Sequence, residues 1–109
     1  MHELGITRNI VSIVTEEAGS RQVLRLSLKI GEYTAVLPEA IRFCFESCTQ
    51  GTVLENAQLD ILQVEGQLQC ADCQRVFASP TPYGTCHCGS RQVSCVSGEE
   101  LLIHEMELA

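Results

Sequence analysis

Cys70-Ala71-Asp72-Cys73, followed after a short interval by Cys86-His87-Cys88, is the stretch on which the fold of this chain turns. Two thiolates at C-x2-C spacing can sit on one tight turn and chelate a single ion, and a second pair delivered by a hairpin completes a tetrahedral sulfur shell. Ser79, Pro80, Pro82 and Gly84 supply the turn residues between the pairs. Residues 66–98 offer few apolar side chains, chiefly Val76, Phe77, Tyr83, Val93 and Val96. A structural metal would contribute the missing free energy, roughly 10 kcal/mol or more in small zinc domains. The segment therefore reads as a zinc ribbon with Cys70, Cys73, Cys86 and Cys88 as ligands.

The second pair is C-x-C, and a regular strand would send Cys86 and Cys88 to opposite faces. Chelation by both requires a turned backbone, which Gly84 and Gly89 permit. His87 or Cys95 is the alternative ligand if that turn does not form. A disulfide pair or unconnected buried thiols is the competing account. An odd count of seven cysteines without a secretory signal favours metal ligation in a reducing compartment.

Outward from the ribbon the chain has 109 residues and 45% hydrophobic content, enough for one ordinary domain carrying a smaller insertion. No apolar run approaches the ~20 residues that cross a bilayer, and Met1-His2-Glu3 does not open a signal peptide. The cytoplasm is the expected location. Fourteen acids against six Arg and one Lys give a net charge of −7, which opposes a nucleic-acid-binding role.

Along Thr7–Ala18, Ile10, Val11, Ile13 and Val14 fall on one helical face, with Gly19 as the stop. Residues 23–30 alternate, with Leu24, Leu26, Leu28 and Ile30 on one side of a half-buried strand. A second helix is expected from Pro38 to Cys48, presenting Ile41, Cys44, Phe45 and Cys48 inward. Residues 58–65 and 100–108 read as further strands. The ribbon is thus an insertion hung on linkers near Glu65-Gly66 and Ser97-Gly98, with Glu99 and Glu100 as solvated linker residues. The expected architecture is α+β: a small sheet with two helices from residues 1–65 plus 99–109, interrupted by a zinc-ribbon domain at 66–98. Cys44 and Cys48 share one helical face and read as small buried hydrophobes, Cys95 as core filler, and His104 as an edge residue.

The N-terminus offers a second metal station. The α-amine of Met1, the His2 amide nitrogen and the His2 imidazole can close two adjacent chelate rings on one ion, and Glu3 can add an oxygen. Planar nitrogen donors suit Ni(II) or Cu(II). An unliganded, frayed terminus is the bland reading of the same residues.

Met1-His2-Glu3-Leu4, an amphipathic helix, Ile30-Gly31-Glu32, the stretch Ala40 to Glu46, Gly51-Thr52 and an inserted four-cysteine ribbon ending Cys88-Gly89-Ser90 follow in that order. The whole resembles the HypA/HybF family of nickel chaperones for nickel–iron hydrogenase maturation. The resemblance implies that the α+β part binds Ni(II) through the Met1 amine and both His2 nitrogens, with Glu3 as ligand or neighbour. It also implies structural Zn(II) in the ribbon, and the GTPase HypB and the hydrogenase large subunit as partners; a homodimer is left open. This chain departs from the family's C-x2-C in both halves: Thr85 stands in place of the third cysteine. Leu37 stands where some members carry an acid. No catalytic constellation, phosphate loop or dinucleotide fingerprint is present, so an enzyme is not expected. A zinc-ribbon interaction module without nickel transfer is the rival reading.

Overall fold

The computed structural model describes residues 2–109. The elements run α1 (His2–Ala18), β1 (Val23–Gly31), a 3-10 turn (Glu32–Thr34), α2 (Pro38–Cys48), β2 (Gln58–Val64), β3 (Gln67–Cys70), β4 (Val76–Ala78), β5 (Val93–Ser97) and β6 (Leu101–Leu108). They form an α+β fold with two three-stranded sheets, ordered β2-β1-β6 and β4-β3-β5. Contacts divide the chain into two units. The first holds residues up to Leu28, Val36–Leu62 and Leu102–Ala109; the second holds Lys29–Ala35 and Gln63–Leu101.

In the first unit α1 packs on α2. Val11, Val14, Ala18, Leu26, Leu28, Ile41, Phe45 and Leu54 form the core. The helix α1 starts five residues earlier than its apolar pattern suggests. Thr7 extends the stripe upstream at helical spacing: it is buried, and its own hydroxyl is satisfied by donating to the Glu3 carbonyl at 2.7 Å. Ile13, expected inside, is 47% exposed on the flank of that stripe. In β1 the alternation fails at its first step, because Val23 is buried and Leu24 is 47% exposed. The Val23 amide donates to the Val53 carbonyl at 2.9 Å, which fixes the strand entry through a residue distant in sequence. In α2 the inward stripe is Ile41 and Phe45, while Cys44 and Cys48 are half-buried beside it.

The second unit is built around β3, which pairs antiparallel with β4 and β5 and places Leu68 opposite Phe77 and Cys95. Its entry and exit are bonded rather than loose. The Gly66 amide donates to the Glu32 carboxylate at 2.8 Å, and the Tyr33 amide donates to the Gly98 carbonyl at 2.7 Å. The Tyr33 hydroxyl donates to the Ser79 carbonyl at 2.8 Å, and the Glu100 carboxylate accepts from the Gly98 amide at 2.8 Å. Glu100 is therefore engaged, not solvated linker.

Gly31 is required by this crossing. A Cβ there would overlap the Gly98 carbonyl and crowd the Glu100 amide, both of them backbone groups. Gly31→Ala should therefore cost about 1–3 kcal/mol of stability, the typical overpacking penalty. Gly5, in α1 with nothing within 4 Å of an added Cβ, supplies the control. Gly5→Ala should stabilise by up to about 1 kcal/mol through helix propensity. Denaturant melts of the two variants should thus move in opposite directions; a stabilised Gly31→Ala would contradict the packing described.

Candidate metal centres

Cys70 ends β3, and the chain then folds back on itself: the Gln74 amide donates to the Cys70 carbonyl at 2.9 Å and the Cys70 amide to the Arg75 carbonyl at 2.9 Å. Gln74 takes the left-handed conformation (φ 69°) to close this loop and bring Cys73 beside Cys70. The second loop is closed by the Cys86 amide donating to the Ser90 carbonyl at 2.9 Å and the Gly89 amide to the Cys86 carbonyl at 2.8 Å. Gly89 has φ 92°, a conformation for which glycine is suited. Cys86 and Cys88 thus lie on a turn rather than a strand, and the face-alternation problem of C-x-C spacing does not arise. The Ala71 amide donates to the Gln92 carbonyl at 2.8 Å and ties the two loops together.

The result is a cluster in which the four sulfurs of Cys70, Cys73, Cys86 and Cys88 all lie within 4.8 Å of one another. Cys70 and Cys88 are 3.7 Å apart, and Cys73 and Cys86 3.5 Å. Zinc bonded to sulfur at about 2.3 Å in a tetrahedron separates its ligands by about 3.8 Å, so the donor set fits zinc in both chemistry and spacing. The alternative ligands stand apart from the cluster. His87 is exposed, and the Cys95 thiol, on β5 beside Leu68, donates to the Ser97 carbonyl at 3.2 Å.

The sulfurs are electrostatically unequal. The Cys73 amide, 3.5 Å from the Cys70 sulfur, is the main cause that lowers the Cys70 thiol to about 6, aided by the Asp72 amide against the cost of burial. Cys88 is pushed up to about 12: the Ser90 amide pulls it down, but interaction with the Cys70 and Cys86 sulfurs and desolvation outweigh that pull. Without metal, Cys88 therefore holds its proton more tightly than Cys70. Metal uptake must displace that proton, so acid opposes loading.

At the other candidate station His2 is the first residue of α1, with its side chain 63% exposed. Met1 lies outside the described residues. The opening N–H groups of a helix have no intrahelical acceptor, which leaves the His2 amide available. The His2 Nε2 lies 3.4 Å from Glu3 Oε2, so the structure brings these two expected residues together. The same Glu3 oxygen is held by a second group as well. The carboxylate accepts from the Leu37 amide at 3.3 Å, and this hydrogen bond is the first cause that keeps the carboxyl below its usual range. From His2 onward the residues form the first turn of a helix, in which Glu3 is anchored at both its carboxylate and its carbonyl. The Leu37 amide contributes here with no signal in the sequence, since a backbone donor carries no side-chain signature.

The chain matches, over residues 1–108, the profile of a family described as hydrogenase/urease nickel incorporation, metallochaperone, HypA. It is 52% identical over 108 residues to the hydrogenase maturation factor HypA of Nostoc punctiforme, covering 99% of this chain and 96% of that protein. It is 45% identical over 109 residues to that of Geobacter sulfurreducens, covering 99% of each. A solution structure of the nickel metallochaperone HypA from Helicobacter pylori superimposes with a TM-score of 0.70 at 28% identity, over 99% of this chain and 97% of that one. A second solution structure of a HypA protein gives 0.74 at 28% identity, over 100% and 97%.

Proposed function

Since the chain belongs to the HypA family of hydrogenase and urease nickel-incorporation metallochaperones, we propose that it carries Ni(II) as cargo to the large subunit of a nickel–iron hydrogenase. Nickel is bound through the Met1 amine, the His2 amide nitrogen and the His2 imidazole. Glu3 stands beside them as a ligand or as the group that fixes the imidazole. Residues 1–65 with 99–109 form the nickel-binding domain. Zn(II) in the 66–98 ribbon, held by Cys70, Cys73, Cys86 and Cys88, is architectural. Four thiolates leave no open coordination position, so this centre supplies folding energy and no reaction.

The observation that carries this reading is the exposed His2 imidazole at the opening of α1, beside a carboxylate already fixed by a second element. The His2 imidazole meets solvent directly, so nickel can leave it without the core opening. Protonation of the amine and imidazole competes with nickel, so acid favours release. The proposed setting is the cytoplasm, with the GTPase HypB as the companion. No described helix is long and apolar enough to cross a membrane.

Transfer tests the assignment. Nickel-loaded protein mixed with a nickel-free hydrogenase large subunit should pass its metal to that subunit, read by metal analysis after separation. Nickel that stays behind, or that moves equally fast from free solution, would contradict a delivery role.

A further inference from the structure

Besides the sulfur contacts, a side-chain bond joins the two chelating loops: the Ser90 hydroxyl donates to the Asp72 carboxylate. Its place is informative. Cys70 and Cys88 are eighteen residues apart and so are Asp72 and Ser90, so the bond spans the same two loops as the Cys70–Cys88 sulfur pair. Ser90 is fixed at both ends. Its hydroxyl oxygen accepts from the Gln92 amide at 3.0 Å, and its carbonyl accepts from the Cys86 amide at 2.9 Å. Asp72 is the one acid in residues 66–98, and it lies between two cysteines of the cluster.

A C-x-C loop has one residue fewer with which to aim its sulfurs than a C-x2-C loop, so its ligands depend more on outside restraint. The Ala71–Gln92 backbone bond ties the loops at one point, and apolar packing adds little. Cys73 and Cys88 are exposed, and Leu68 is the single fully buried aliphatic side chain between β3, β4 and β5. We propose that Asp72 and Ser90 form a latch that holds the shortened Cys86–Cys88 loop against the Cys70–Cys73 loop and thereby slows zinc loss. They are positioning residues, acting through the cysteines and not on the ion. The inference rests on the zinc assignment made above.

The test measures zinc release from the full zinc-loaded chain to a chromogenic chelator at fixed pH and ionic strength. The set comprises the native protein, Asp72→Ala, Ser90→Ala, the double variant and Asp72→Asn. Loss of an outer-shell partner at a metal site costs about 10–100-fold in affinity, so each alanine variant should release zinc about tenfold faster or more. The double variant should be no faster than the singles, because both remove the same bond. Asp72→Asn keeps an acceptor for the Ser90 hydroxyl and should release zinc close to the native rate. Native-rate release from both alanine variants would overturn the latch while leaving the zinc centre intact. So would multiplying effects in the double variant, or an asparagine variant as fast as alanine. A native protein that takes up no zinc would overturn the zinc assignment and the latch with it.

Discussion

Cys73→Ala should remove zinc from the protein and unfold the ribbon, leaving the helical unit with its own core intact. The expectation follows from how little else holds residues 66–98 together. Tyr83 is 87% exposed, Val96 51% and Val76 48%, so three of the five apolar residues expected to line the ribbon largely face solvent. The buried set is instead Leu68, Cys70 and Cys86, with Ser79. Burying one leucine is worth about 1.5–3 kcal/mol, far below the chain entropy lost on ordering so long a segment. The metal contributes about 10 kcal/mol or more in domains of this kind. Removing one of four ligands leaves an incomplete shell, and the deficit is then decisive. Zinc content with hydrogen exchange across 66–98 reads the outcome, and Cys95→Ala is the control that should retain zinc. A Cys73→Ala ribbon that stays protected without zinc would contradict the account.

His2→Ala should lower nickel affinity more than 100-fold, on the order of what is lost from the outer shell alone and more. The substitution removes an exposed side chain at the start of a helix, so stability and zinc content should not change. That separation matters, since it distinguishes a lost ligand from a damaged fold. Calorimetric titration with nickel, at one fixed pH for both proteins, gives the comparison. Equal affinity in the variant would remove His2 from the nickel site.

Much of this arrangement was legible in the residues because it depends on local spacing. Pro38 at the first turn and Gly51 beyond the last bracket α2, the Ile41/Phe45 stripe gives its inward face, and the glycines and cysteines of the ribbon place its loops. The cluster at Cys70, Cys73, Cys86 and Cys88 was legible for the same reason. Contacts between residues far apart in sequence were not. Leu68 lies between two glutamines in a four-residue strand, too short to show a pattern, and becomes the ribbon's core only once Phe77 and Cys95 pair on either side. The anchoring of Glu3 by Leu37 crosses thirty-four positions and uses a backbone donor. The first turn of α1, which carries Glu3, lies outside the apolar pattern and was hidden as well. Likewise the bonds that Glu32 and Tyr33 make to Gly66, Ser79 and Gly98 turn an expected pair of linkers into fixed structure.

The nickel site proposed here stands or falls on the Met1 α-amine. Nickel titration of the native protein beside the same protein with its α-amino group acetylated isolates that nitrogen, because every side chain is unchanged. The blocked form should retain its full zinc content and lose most of its nickel affinity. Undiminished nickel binding by the blocked form would contradict the account.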